Sequence, residues 1–130
     1  LALLDLDHFK RINDKYGHQS GDEVLRKIAS RLLSAVRGED CVCRFGGDEF
    51  LVLMIDTDAR VAARITERIR QTITETPVPT RDGAMPISMS IGYTVRQPRD
   101  RTSVEALLER ADQALLQSKA AGRNRVRMTT

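Results

Sequence analysis

The hydrophobic positions of this chain fall into runs of two different periods. Leu1 to Leu6 is a short, nearly continuous apolar run with Asp5-Leu6-Asp7 at its end, and it reads as a first strand. Phe9, Ile12 and Tyr16 then recur at helical spacing, and Gly17 stops the segment. Val24, Leu25, Ile28, Ala29, Leu32, Leu33 and Val36 form one stripe at spacings of three and four, a longer amphipathic helix closed by Gly38. Ser20, with Glu23 three residues later, has the form of a capping box at its start. Cys41-Val42-Cys43 and the run from Leu51 to Ile55 have strand length and flank Gly46-Gly47. That pair is a hairpin signal, because glycine takes positive φ without steric penalty.

Asp56 to Asp58 caps a third helix with the stripe Val61, Ala62, Ile65, Ile69 and Ile73. Pro77, Pro79 and Asp82-Gly83 mark a loop or small hairpin. Between Pro86 and Val95 the pattern alternates, with Ile87, Met89 and Ile91 on one side and Ser88 and Ser90 on the other, which predicts a half-buried strand. Thr102 and Glu105 form a second capping box ahead of a helix carrying Val104, Leu107, Leu108, Ala111 and Leu115. Gly122 ends it, and Asn124 to Met128 reads as a last strand. The order β-α-α-β-β-α-β-α-β around a central hairpin predicts an α+β sandwich of ferredoxin-like kind: a mostly antiparallel sheet with helices on one face.

Composition narrows the function. A chain of 130 residues is a single domain, 1–130, and 41% hydrophobic with 30% charged residues is ordinary for a globular one. A net charge of +3 with no polybasic run suits a small anionic ligand. Three Phe, two Tyr and no Trp supply little for base stacking, which argues against a nucleic-acid partner. Cys41 and Cys43 point to one face of a strand and are badly placed to bond to each other, so they read as reduced core cysteines of a cytoplasmic protein. No apolar run approaches the roughly 20 residues that span a bilayer, so no membrane contact is expected of this domain. A chain that opens on a strand reads as a piece of a longer protein, whose targeting or tethering segments would lie outside it.

Asp48 and Glu49 sit at the tip of the predicted hairpin, where adjacent acids repel unless a cation joins them. If the first strand pairs beside the hairpin, Asp5 comes near them. Three or four carboxylates at exposed strand ends make a hard-cation site suited to Mg²⁺ or Mn²⁺. The amides of His8 and Phe9 open a helix directly after Asp7, a ready anion site, with Lys10 on its first turn. Lys119 and Arg123 fall at the end of the last helix, where they either complement its dipole or clamp a phosphate. Asn13, His18 and Asp22 flank the first helix-to-helix turn, and an Asn with an Asp can read a guanine edge. Metal, phosphate and base groups on one side of a sheet describe a nucleotide site.

The stretch Arg44-Phe45-Gly46-Gly47-Asp48-Glu49-Phe50 resembles the signature of the GGDEF-domain diguanylate cyclases. Asp5 to Asp22, Ser90-Ile91-Gly92, Ala111-Asp112 and Lys119 to Asn124 continue the match over nearly the whole chain. The resemblance implies a nucleotidyl-cyclase-like fold and a reaction joining two GTP into cyclic di-GMP with release of two pyrophosphates, in a head-to-head homodimer with one GTP per subunit. It implies Mg²⁺ (or Mn²⁺) held by Asp5, the Leu6 carbonyl and Asp48. Asp48 would act as general base, Glu49 would assist, and Lys10 would stabilise charge. Asn13, His18 and Asp22 would surround the guanine. Lys119 and Arg123, with the amides of His8 and Phe9, would hold the outer phosphates. Arg37-Gly38-Glu39-Asp40 resembles the family's inhibitory product site, with Arg68 on the next helix as a second arginine contact. The family's usual upstream segment, which closes one side of the guanine pocket, is expected to be missing here, and a sensory or receiver domain is expected upstream in the parent. Leu116 and Ser118 depart from the family's common residues at packing positions. Three other readings compete: a catalytically weak GTP or cyclic di-GMP sensor, a cyclic-mononucleotide cyclase, and an RNA-binding domain, the last disfavoured by the lack of strand aromatics.

Overall fold

A computed structural model describes residues 1–130. Its elements run β1 (Ala2–Leu6), α1 (Phe9–Tyr16), α2 (His18–Ala35), β2 (Cys41–Arg44), β3 (Glu49–Leu53), α3 (Ala59–Thr74), β4 (Val78–Thr80), β5 (Gly83–Met85), β6 (Met89–Tyr93), α4 (Val104–Ala120) and β7 (Val126–Met128). The main sheet has the order β2-β3-β1-β6-β7, and β4 and β5 form a separate small hairpin. All pairings are antiparallel except β6 with β7. The α+β sandwich, the central strand and the mid-chain hairpin are as the hydrophobic pattern predicts.

The helices do not stay on one face. Ala2, Leu4 and Leu6 of β1 join Phe50, Val52, Met89 and Ile91 in a core with the stripes of α2 and α3: Val24, Ile28, Leu32, Ile65, Ile69 and Ile73. Leu3 points the other way and packs with Ala111 and Leu115 of α4, which covers the opposite face. Being covered twice, β1 and β6 are buried along their whole lengths. Ser90, which read as part of a wet face, is therefore fully buried, while Ser88, just before β6, is half-buried. Small residues permit this: α4 lies so close to β6 that a Cβ on Gly92 would collide with the backbone of Ala111 and Leu115. Ser118 Oγ, also buried, donates to the Ile91 carbonyl at 2.7 Å.

Three further expectations change. Helix α2 begins at His18, so Ser20 and Glu23 lie inside it and make no capping box. Helix α4 is capped by Ser103, whose hydroxyl accepts from the Ala106 amide, while Thr102 bonds Asp100 instead. Cys41 and Cys43 are exposed on the edge strand, because α4 does not extend over β2. Asp58 does cap α3, accepting from the Val61 amide at 2.8 Å.

Candidate active site

The site forms where the ends of β1, α4 and the β2–β3 loop meet. Strand β1 is central, and Asp5 lies opposite Glu49 of β3 in register. The Leu6 amide donates to the Asp48 carbonyl at 3.2 Å, which fixes the loop tip beside the end of β1. Lys119, in the last turn of α4, reaches across to Asp5 and forms an ion pair with its Oδ2. The other oxygen of Asp5, Oδ1, is buried with no hydrogen-bond partner. Burial raises the Asp5 pKa, Lys119 opposes that rise, and the neighbouring Asp48 carboxylate adds to it. Asp5 is thus an acid whose ionised form lacks compensation from the protein alone.

That arrangement corrects the expected cluster of three or four carboxylates: no group of three acidic, His or Cys ligands comes together. Asp7 turns away. Its carboxylate accepts from Ser88 Oγ and Ser90 Oγ, both at 2.6 Å, and from the Asn124 amide at 2.9 Å, so it ties β1 to β6 and to the start of β7. The sequence offered no signal for this role beyond the two serines. Asp5 and Asp48 with the orphaned Oδ1 remain, and two hard oxygen donors with room for phosphate oxygens fit Mg²⁺, which retains several non-protein ligands.

The loop itself is shaped without left-handed glycines. Neither Gly46 nor Gly47 has positive φ, contrary to the hairpin expectation. The amides of Phe45 and Gly46 both donate to the Glu49 carbonyl, at 2.9 and 3.3 Å, and Arg44 braces the turn through the carbonyls of Gly46 and Gly47. The Glu49 carboxylate lies over Gly46, 3.1 Å from where a Cβ would stand. At Gly47 a Cβ would meet nothing within 4 Å, so nothing within the chain requires glycine there.

The groups expected to hold phosphate take the following positions. His8 adopts left-handed φ of 58° and turns the chain into α1, and the amides of His8 and Phe9 find no acceptor within the chain. Lys10 is exposed and forms no ion pair. Arg123 follows Gly122, and both have positive φ, with Arg123 at 64°. A non-glycine residue in that region stores strain of the kind that functional loops carry. Asn13 and Asp22 sit further out: a Cβ on Gly21 would strike the Asn13 amide, and Asp22 lines a cavity of about 280 Å³ with Leu25, Arg26 and Arg44. His18 is exposed at the start of α2.

Arg37, Asp40 and Arg68 lie apart from this centre. Arg37 clasps Asp40 through Nε and Nη2 at 3.1 and 2.9 Å, and Nη2 also reaches the Ile55 carbonyl and Thr57 Oγ1. The Asp40 side chain is fully buried and accepts from the amides of Arg37 and Ile55. Its burial opposes ionisation, but these bonds prevail and hold its carboxyl below the usual carboxylate range. Arg68 joins the group by donating to the Ala35 carbonyl at 2.8 Å.

Residues 1–125 match the family model described as "Diguanylate cyclase, GGDEF domain". The chain belongs to the GGDEF domain family. It is 48% identical over 126 residues to the response regulator PleD of Caulobacter vibrioides, covering 95% of this chain but only 28% of that protein. It is 43% identical over 124 residues to the cyclic di-GMP phosphodiesterase NbdA of Pseudomonas aeruginosa, 95% of this chain and 16% of that protein. Among solved structures, the GGDEF domain of DgcB from Caulobacter crescentus, determined in complex with c-di-GMP, superposes with a TM-score of 0.89 at 38% identity, covering 98% of this chain and 75% of that one. This GGDEF domain therefore spans less than a third of the length of these two curated relatives. None of its helices is long and apolar enough to cross a membrane.

Proposed function

We propose that this GGDEF domain condenses two GTP into cyclic di-GMP. The observation that carries the reading is Asp5: a buried carboxylate, unpartnered at Oδ1, flanked by Asp48 and Lys119 at the mouth of two unused amides. Such a centre lacks one cation and one polyanion, and a nucleoside triphosphate with its metal supplies both. Asp5, the Leu6 carbonyl and Asp48 would hold Mg²⁺, which when bound would neutralise phosphate charge and polarise the α-phosphorus.

The chain's own groups do the rest. The amides of His8 and Phe9 receive phosphate oxygens at the start of α1. Lys119 moves from Asp5 to the outer phosphates once the carboxylate has another cation, and Arg123 and Lys10 complete the positive wall. Asp48 takes the proton of an incoming 3′-hydroxyl, whose oxygen bonds to the α-phosphorus as the bond to the β-phosphate bridge breaks and pyrophosphate leaves. Asn13 and Asp22 hold the guanine edge beside the 280 Å³ cavity. One chain offers one such site, and a cyclic product needs two bonds between two nucleotides, so the working unit is a dimer with facing sites. Arg37, Asp40 and Arg68 form the product-inhibition site, built on the clasp between Arg37 and Asp40.

Its kinship with a protein named as a phosphodiesterase favours one alternative, a GGDEF module that binds nucleotide without turning it over. Incubating the full-length parent with GTP and Mg²⁺ and weighing the products separates the two. Cyclic di-GMP from the parent, lost in Asp48→Ala with the melting temperature retained, is the expected result. GTP bound but unchanged establishes the sensor.

A further inference from the structure

Helix α2 starts without the groups that usually start a helix. Its N-cap is Gly17, which has no side chain to accept from the first amides, and its first turn holds no acidic residue. The Gly17 amide is satisfied by the Asn13 carbonyl at 2.9 Å, but the amides after it and the uncompensated dipole would leave such a turn to fray. Yet this turn leads directly into the segment that holds Asp22 and the Gly21–Asn13 contact.

The side chains of its first two turns are instead held by the β4–β5 hairpin, some sixty residues away in sequence. Ser20, fully buried, donates to the Asp82 carboxylate at the hairpin tip. Arg81 donates its backbone amide and its Nε to the two oxygens of Glu23, at 2.9 and 2.8 Å, and its Nη1 to Gln19 Oε1. The hydrogen bonds from Arg81 hold the Glu23 carboxyl below its usual range. A forked guanidinium and a carboxylate thus grip three residues in the first two turns of α2, with Asp82 placing negative charge where the dipole favours it.

The helical period sorts these residues. Gln19, Ser20 and Glu23 fall on the side facing the hairpin, while His18, Asp22, Leu25 and Arg26 fall on the neighbouring side, where the last three line the cavity. A grip on the first set therefore fixes the azimuth of the second.

We propose that the β4–β5 hairpin is a clamp on the start of α2, with Arg81 and Asp82 as positioning residues that set Asp22 for reading the guanine edge. The inference rests on the GTP reading above and deepens it. Asp22, as a carboxylate, accepts from the N1 and 2-amino groups of guanine together only if its azimuth is held, so the hairpin governs base discrimination and leaves the triphosphate end alone.

The test compares GTP and ITP, which lacks the 2-amino group, by calorimetric binding to the full-length parent in Ca²⁺. Wild type is expected to prefer GTP. Arg81→Ala and Ser20→Ala are expected to weaken GTP about tenfold, to draw the GTP:ITP ratio toward one, and to speed hydrogen exchange of residues 18–22. Asp82→Asn, which can still accept from Ser20, retains the preference. Variants that lose GTP and ITP equally, or keep the full ratio despite faster exchange, overturn the positioning role while the GTP reading stands. Wild type with no preference for GTP overturns both.

Discussion

At the scale of single residues, Arg37 joins two loops through one side chain and is the residue proposed to meet the product. Two of its nitrogens are committed to Asp40, Ile55 and Thr57, and Nη1 makes no bond within the chain, so a product phosphate would meet a guanidinium already oriented. Replacing Arg37 by Ala is expected to abolish product inhibition and also to strand the buried Asp40. Asp40→Asn isolates the structural part and has a defined pH signature. The folded-state pKa of Asp40 is depressed, so its stabilisation is complete above the unfolded value of about 4 and is lost as pH falls through the lower folded value. Asp40→Asn should therefore cost roughly 1–3 kcal/mol at pH 7, and urea denaturation at pH 3 should find the gap to wild type narrowed. A gap that is constant with pH would mean that the carboxylate charge is not what holds the two loops. The paired spacing of Arg37 and Asp40 was readable in the sequence. Their mutual clasp was not, because it depends on the Ile55 amide and carbonyl arriving from the far end of β3.

At the scale of elements, two glycines separate folding from function. Gly92 is where α4 rests its backbone on β6, and an added methyl has no space. Gly92→Ala should destabilise by about 3 kcal/mol or more, and the displaced α4 would carry Lys119 away from Asp5. Gly47 faces open space at ordinary φ, so Gly47→Ala should leave the melting temperature within about 2 °C. It should still lower cyclic di-GMP synthesis at least tenfold, if nucleotide or the facing subunit approaches that backbone. Thermal melts and product assays on both variants check this; full synthesis by folded Gly47→Ala would leave that glycine without a reason. The hydrophobic periods placed the four main helices and the five strands of the main sheet, since each has a clear stripe or run. What they missed depends on layers. A strand covered on both faces by small residues looks half-polar in sequence, which is why Ser90 read as wet. A helix whose first side chains bond a distant hairpin looks self-capped when Ser20 and Glu23 happen to fit the local pattern. Asp5 and Asp48 were legible as neighbours because strand order brings their carriers together, while the ion pair of Lys119 with Asp5 was not. The role of Asp7 was not legible, because its three donors come from Ser88, Ser90 and Asn124, far along the chain.

At the scale of the whole molecule, the stoichiometry of the proposed product would constrain the assembly more tightly than any single contact does. On the proposed reaction each site would present one base, Asp48, for one hydroxyl, and each phosphodiester bond would join the hydroxyl in one site to the α-phosphorus in the other. A dimer with two working sites makes two bonds and closes the ring. A mixed dimer with Asp48→Ala in one subunit has one base and can make one bond, releasing one pyrophosphate and leaving an open dinucleotide that keeps its triphosphate. Replacing wild-type protein by Asp48→Ala at fixed total concentration, where subunits exchange, should therefore lower cyclic product with the square of the wild-type fraction. The linear dinucleotide should appear in proportion to the mixed species. At low protein concentration the specific rate of wild type alone should fall with dilution, since separated subunits hold GTP without a partner phosphate. Cyclic product that declines only linearly in the titration, with no linear dinucleotide, would place both bond-forming steps within one subunit and remove the argument for facing sites. Mass spectrometry of the product mixture reads both species in one run.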